Sequence, residues 1–248
     1  MLAGDASKTS DAATLTVIPD KVAPRPVEVT SVIANRTVVT LTFDGPIGYY
    51  RFEETAGQKT KNYGSAGAAA DGLYMIGNGP DDSVPADVAV DSGPQPSEFL
   101  GFDPNNRAVI MDGQNTMLWI NTQKQFLNNL TAFSLEYWVK PSNRLSDPGS
   151  FGTRIGLVGQ NDAVEFGFID NNTIQIWSSG GGSLDTDYNF SDNEWHHIAT
   201  IADGRNIKNY FDGKLVGTGG TTTWTDVGTA NPVSVTIGTG NSFYRVKK

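Results

Sequence analysis

Cysteine is absent from the 248 residues, and histidine occurs only twice. Without cysteine the chain has no disulfide bond, no thiolate metal site and no cysteine nucleophile. The two histidines, His196 and His197, are adjacent and no G-x-S-x-G segment accompanies them, so a Ser-His-Asp hydrolase is not supported. Neighbouring residues of a strand face opposite sides of a sheet. We therefore expect this pair to pack and hydrogen-bond within a framework rather than to share one metal.

Positive charge and long apolar runs are also scarce. The chain has 18 Lys and Arg residues against 27 Asp and Glu residues, which gives a formal net charge of -9. Such a surface repels nucleic acid and anionic membranes, so neither is an expected partner. No segment approaches the roughly 20 apolar residues of a membrane-spanning helix. The opening residues MLAGDASKTS have neither the basic nor the apolar region of a signal peptide.

Helical periods are missing too, whereas short alternating segments separated by turn residues recur along the chain. The densest run covers residues 133–216 and includes Trp138, Trp177 and Trp195, which we expect to fill a core. From residue 107 onward the predicted strands are 107–111, 117–120, 133–140, 154–158, 164–169, 173–177, 195–201, 206–211, 215–217 and 233–237. The pattern predicts an all-β fold.

The N-terminal part consists of two shorter pieces. Residues 12–18 alternate with period two, and the piece 1–20 resembles the last strand of an immunoglobulin-like domain. Residues 21–43 are predicted to form a proline-bearing linker and a β-hairpin, with strands 27–33 and 37–43.

The main domain is predicted to extend over residues 44–248. It opens with an aromatic strand at residues 49–52. Residues 77–106, rich in proline, glycine and aspartate, and residues 178–190 are predicted as loops. Because long loops in a compact domain are usually functional or mobile, we expect ligand contacts there.

Five segments carry a resemblance to a known family, in matching order and spacing: DGPIGYYRFEETAG (44–57), AVIMDGQNTMLWI (108–120), LTAFSLEYWVKP (130–141), DNEWHHIATIADG (192–204) and NYFDGKLVGTG (209–219). The chain resembles the laminin-G-like, concanavalin A-like jelly rolls of large bacterial secreted or surface proteins. The resemblance implies an antiparallel two-sheet sandwich with extra N-terminal strands, an extracellular location within a larger precursor, and ligand loops at an edge or on the concave face. Such domains normally end with a closing strand after the one at 233–237, which this sequence lacks.

Concanavalin A-like sandwiches also include glycoside hydrolases, which need two carboxylates roughly 5–10 Å apart. The nearest candidates are Glu165 and Asp170, but their odd separation places them on opposite faces of a straight strand. Glu136 has no second carboxylate near it in SLEYWVK. Catalysis is therefore disfavoured.

Calcium is a more plausible ligand for an acidic chain, because this ion takes six to eight oxygen ligands. The resembled domains often carry one calcium on edge loops, and the candidates here are Asp71, Asp112 and Asn115. Asp112 lies in a D-G turn, where an aspartate also caps its own backbone.

Glycan binding calls for an exposed aromatic ring beside polar groups. Trp224, in the segment TTTWTD, is the candidate for stacking on a sugar, and the alternative is that it plugs an open end of the sandwich. Asp185, Asp187 and Tyr188 are the candidate rim contacts.

The sequence thus predicts a non-catalytic extracellular module for adhesion or glycan recognition, with a structural calcium. The alternative is a self-assembling structural subunit whose N-terminal strands complete a neighbour's sandwich.

Overall fold

The computed structural model describes residues 33–35, 38–40, 45–77, 84–111, 119–141, 155–160, 163–220 and 234–238, the first two ranges, Trp119 and Ile155 by their backbone alone. Within these residues the chain consists of short antiparallel strands and one 3-10 helix, Gly67–Ala70, so the predicted all-β class is confirmed. None of these residues forms a helix that is long and apolar enough to cross a bilayer.

The strands follow one another with few long gaps. In chain order they are β1 (Ile33–Asn35), β2 (Val38–Thr40), β3 (Lys59–Thr60), β4 (Gly72–Ile76), β5 (Val84–Pro85), β6 (Val90–Ser92), β7 (Arg107–Val109), β8 (Trp119–Asn121), β9 (Phe133–Val139), β10 (Ile155–Gln160), β11 (Val164–Phe168), β12 (Thr173–Ser178), β13 (Gly182–Asp187), β14 (His196–Ala202), β15 (Ile207–Phe211), β16 (Lys214–Gly219) and β17 (Thr236–Ile237).

Two large sheets form the sandwich. The larger has nine strands in the order β13-β12-β11-β10-β17-β8-β4-β3, with β5 added beside β4, and the smaller has four in the order β16-β15-β14-β9. Strands β1 and β2 pair only with each other among the described strands, as do β6 and β7. The architecture matches the predicted concanavalin A-like jelly roll.

The main core lies between the two large sheets and is built by alternation. In β14 every second residue from His196 to Ala202 is buried, and the residues between them are half-buried. Burial of each large apolar side chain contributes about 1.5–3 kcal/mol. The core side chains include Phe133, Val164, Phe166, Phe168, Ile174, Ile176, Tyr188, Ile198, Ile207 and Phe211.

A second, smaller core lies under the other half of the larger sheet. Tyr74 of β4 and Ile120 of β8 are fully buried there, and the partly buried side chains of Phe52, Val109 and Met111 pack against them. Strands of the smaller sheet do not reach this part, so segments outside both large sheets cover it.

A buried polar chain joins the two sheets on the side where β13 meets β16. The Thr200 hydroxyl donates to Asn209 Oδ1 at 2.7 Å, and Asn209 Nδ2 donates to the Thr186 hydroxyl at 2.8 Å. Asn209 and Thr200 have no exposed surface. Because Thr186 belongs to the larger sheet and Asn209 to the smaller, this chain fixes their relative position.

The prediction that three tryptophans fill the core is wrong. Trp138 lies on the outer side of β9, where its ring contacts Phe99 and Phe102 with centroids 4.6 and 5.2 Å away. Trp177 occupies an outward position of β12, and Trp195 is half-buried just before β14. The alternation predicted which residues share a face but not which face meets the core.

Other departures lie near the N-terminal part and in the predicted loop 178–190. That loop contains β13. The predicted aromatic strand 49–52 forms only one bridge, between Tyr50 and Asn62, and Phe52 adopts a left-handed φ of 55° that interrupts an extended run. The predicted hairpin forms, with Ile33 opposite Thr40. The predicted strand 12–18 lies outside the described residues.

We expect Asn209→Ala to lower the free energy of unfolding by about 1–3 kcal/mol, because it leaves two buried hydroxyls without their amide partner. Chemical denaturation with fluorescence detection measures the change. Asn171→Ala, at an exposed position, is the matched control and should remain within about 0.5 kcal/mol of the parent. Equal effects of the two substitutions would show that the buried chain does not join the sheets.

Candidate functional site

The outer face of the larger sheet, meaning the face turned away from the core, carries a cluster of polar and aromatic side chains. Side chains alternate along a strand, so the inward Phe166 places its neighbour Glu165 on the outer face of β11. By the same argument β12 contributes Gln175 and Trp177, and β13 contributes Asp185. We call Glu165, Gln175, Trp177 and Asp185 the outer-face cluster.

The strand register brings the members of the outer-face cluster together. Glu165 lies directly opposite Trp177, and Gln175 lies directly opposite Asp185. Gln175 Nε2 donates a hydrogen bond to Asp185 Oδ1 at 2.6 Å. Directly opposed residues on one face of a sheet have Cβ atoms about 4.5–5.5 Å apart. The cluster therefore combines two carboxylates, an amide and an indole across three adjacent strands.

Burial holds the polar members in place. Glu165 is 6% exposed and Gln175 is 9% exposed, although both lie on the side away from the core. Burying a charge or an amide costs free energy unless other groups form hydrogen bonds or ion pairs with it. Both side chains have further interactions beyond those described above. Trp177 is half-buried beside them. Its indole ring therefore lies next to polar side chains whose positions are fixed.

A glycine without a side chain lies next to Glu165 in the larger sheet. Gly159 of β10 lies opposite Glu165, and a Cβ atom built at Gly159 would lie 2.7 Å from the Val164 carbonyl oxygen. On the far side of Gly159 the same row continues with Thr236 and Asn121. A larger residue at position 159 would require the strands to move apart.

The predicted rim residues have different placements. Asp185 and Asp187 are exposed and lie on β13, not on a loop. Tyr188 has no exposed surface, and its ring packs against Phe168 and Phe211 with centroids 5.0 and 5.7 Å away. Tyr188 is thus a core residue, and the interpretation of it as a rim contact is corrected. Trp224 lies outside the described residues.

Of the predicted calcium ligands only Asp71 is described; Asp112 and Asn115 are not. Asp71 Oδ1 accepts a hydrogen bond from the Asn62 backbone N–H at 2.9 Å, so the carboxylate already orders its own loop. Within the described ranges no group of three or more histidine, aspartate or glutamate side chains is arranged to hold a metal ion. Calcium binding therefore stays a prediction.

The two histidines have separate partners, as expected for a framework role. His196 Nδ1 lies 2.8 Å from Asp212 Oδ2. His197 Nε2, on the opposite face of β14, lies 2.7 Å from Glu136 Oε1. These contacts tie β14 to the turn after β15 and to β9, respectively.

The carboxylates of Glu165 and Asp170 lie in different settings. Asp170 lies beyond the end of β11 and accepts a hydrogen bond from the Asn172 N–H at 2.8 Å, so it caps a turn. Glu165 shares the outer face with Asp185 instead, and their Cα atoms are about 12 Å apart because β12 lies between them and Asp185 is offset along its strand.

The sequence pattern alone does not place Glu165, Gln175 and Trp177 in a binding site. The signal was present as the alternation in residues 173–178, where buried isoleucines flank Gln175. It was interpreted as core packing because a tryptophan in a strand fits that role equally well.

We expect Tyr188→Ala to destabilise the protein by about 3–5 kcal/mol, because it opens a cavity among packed aromatic rings. Asp187→Ala, one position earlier and exposed, should stay within about 0.5 kcal/mol of the parent. Thermal and urea unfolding of the two variants measure the difference. A small effect of Tyr188→Ala would contradict the placement of this residue in the core.

Comparison with known proteins supports the fold. The family model Laminin_G_3, described as the concanavalin A-like lectin/glucanases superfamily, matches residues 108–246. No curated protein sequence matches the chain. Among solved structures, domain 4 of AbnA, a GH43 extracellular arabinanase from Geobacillus stearothermophilus, in complex with arabinotriose, aligns with a TM-score of 0.50 and 20% identity, covering 77% of this chain and 82% of that domain.

A protein from Bacteroides ovatus named for carbohydrate binding aligns with a TM-score of 0.38 and 10% identity, over 48% of this chain and 34% of that chain, which is too distant to carry an argument. The likeness to the AbnA domain concerns the fold alone. The family match spans more than half of the 248 residues. The chain therefore belongs to the concanavalin A-like lectin and glucanase superfamily, through its laminin-G type domain.

Proposed function

We propose that the chain is a non-catalytic carbohydrate-binding module whose ligand lies on the outer face of the larger sheet. The single observation that carries this proposal is the half-buried Trp177, on the outer face directly opposite the nearly buried Glu165, with Gln175 and Asp185 on the adjoining row. The arabinotriose bound to the AbnA domain gives a related fold with a sugar ligand.

The chemistry of the outer-face cluster suits a sugar ring. One face of a pyranose or furanose ring is lined by C–H groups and stacks on an indole, while the hydroxyl groups at the ring edge need hydrogen-bond partners. Carboxylates accept strong hydrogen bonds from hydroxyls, and an amide can both donate and accept. Trp177 supplies the stacking surface, and Asp185 and Gln175 supply the polar contacts.

Preorganisation strengthens the proposal. All four side chains project from paired strands, and Gln175 is already held by Asp185 at 2.6 Å. Groups fixed before binding lose little conformational entropy when the ligand arrives. A shallow site of this kind therefore binds without needing to enclose its ligand.

Charge defines the class of glycan. The outer face carries Glu165 on β11 and Asp185 and Asp187 on β13, with β12 between them, and the whole chain has a formal net charge of -9. Like charges brought together cost free energy, so uronic acid and sulfated glycans are disfavoured. We propose neutral oligosaccharides as the ligands, and an adhesive or substrate-targeting role outside the cell.

Trp177→Ala should weaken binding of a neutral oligosaccharide by up to about tenfold, because an aromatic contact contributes up to about 1.5 kcal/mol. The first probe is arabinotriose, followed by neutral and uronic acid oligosaccharides, with isothermal titration calorimetry as the measurement. Tyr63→Ala removes an exposed ring that contacts Tyr49 and Lys61 instead, and it should leave the affinity unchanged.

Binding that survives Trp177→Ala, or that favours the uronic acid probes, would contradict the proposed site. The non-catalytic assignment has its own control. Incubation with the same oligosaccharides should release no new reducing ends, and release that disappears in Glu165→Gln would identify the chain as a hydrolase.

A further inference from the structure

The smaller sheet ends in an open edge. Strand β9 has seven residues, and all of them pair with β14 on one side, from Phe133 opposite Ala202 to Val139 opposite His196. On the other side no described strand pairs with β9. With respect to the described strands, this edge has a row of unpaired backbone N–H and C=O groups, which is a template for another strand.

The opposite edge of the same sheet is in contact with the larger sheet. Strand β16 packs against β13 of the larger sheet, where a Cβ atom built at Gly217 would lie 3.0 Å from the Thr186 hydroxyl. The buried hydrogen bond from Asn209 to Thr186 lies on the same side. The two sheets thus meet along β13 and β16, whereas no described strand pairs with the outer side of β9.

The side chains of β9 show the consequence. Leu135, Tyr137 and Val139 point toward the core and pack against it, yet each remains half-buried, whereas Ile198 and Ala202 of the adjoining β14 are 0% and 2% exposed. The Tyr137 hydroxyl is buried and makes no hydrogen bond to the described part of the chain. Among the described strands, none lies beside this edge to complete the burial of its apolar row.

The N-terminal hairpin, β1 and β2, is a pair of strands without a sheet to join among the described strands. Strands β1 and β2 have three residues each and pair with no other described strand, and an isolated two-stranded hairpin is marginally stable at best in water. The sequence from Thr37 to Phe43, TVVTLTF, alternates apolar residues with threonine. This period of two is that of a strand with one buried face.

We propose that β2 of one copy of this chain adds to the open edge of β9 in a second copy, so that the smaller sheet continues through β2 into β1. The apolar row of β9 would then gain an apolar strand as its neighbour, and the backbone groups of both edges would pair, as in other cases of strand addition. The hairpin of the same copy does not pair with β9 in the structure, which points to a second copy as the donor.

Charge favours the same partner. Residues 21–43 contain three basic residues, Lys21, Arg25 and Arg36, and one acidic residue, Glu28, which gives this segment a formal charge of +2. The whole chain has a formal charge of -9. A basic donor segment is attracted to an acidic acceptor domain, and the attraction weakens with salt.

Sedimentation velocity of the full chain over a wide range of concentration tests the proposal. We expect the mass to rise from 26.6 kDa toward twice that value or beyond as concentration increases. Val39→Pro removes a β2 backbone N–H and should keep the chain monomeric. Ala23→Pro, which lies outside both strands of the hairpin, is the matched control and should associate like the parent.

Hydrogen exchange at β9 distinguishes a second copy from the chain's own hairpin. The β9 amides should exchange more slowly at high concentration in the parent and show no concentration dependence in Val39→Pro. The proposal is overturned if the parent stays monomeric, if Val39→Pro associates like the parent, or if the β9 amides are equally protected at every concentration. Because the hairpin lies outside the outer-face cluster, these outcomes are independent of glycan binding.

Discussion

Two sheets of unequal width share one core, and most features of the molecule follow from this constraint. The nine-stranded sheet is covered by only four strands, which seal its β10–β13 half through Phe166, Ile176 and the facing Ile198. The other half is covered by side chains from connecting segments, packed on Tyr74 and Ile120. The mismatch also leaves β9 as an edge. The core is thus continuous on the side of β13 and β16 and incomplete beside β9.

The candidate site is a by-product of the same packing. Alternation places Glu165 and Trp177 on the outer face because their neighbours Phe166 and Ile176 are required inside. A slip of one residue in the register would move the indole into the core and the isoleucines to the surface. The free energy that holds the core in register therefore also holds the groups of the proposed site in position.

The sequence predicted the fold well where one face of a strand is clearly apolar, as in β14, and where the motifs of the laminin-G resemblance occur, as at Asp212-Gly213. It failed where both faces carry large side chains. In β9, Tyr137 and Trp138 fit a core position equally well, and only the packing of Phe99 and Phe102 on Trp138 shows which side faces outward. Strand β13 was predicted as a loop because its glycine-rich start and acidic residues hide the alternation of Leu184, Thr186 and Tyr188. Asp185 was therefore a candidate for contact, but its neighbours Gln175 and Trp177 were not.

The central claim is that the outer face of the larger sheet, and not the long loops, receives the ligand. Amide and indole chemical shifts recorded during titration with arabinotriose test it most directly. The account predicts that the largest changes fall on β11, β12 and β13, at the Trp177 indole N–H and the amides of Glu165 and Asp185. Changes concentrated in residues 84–106, with the outer-face cluster unaffected, would contradict it.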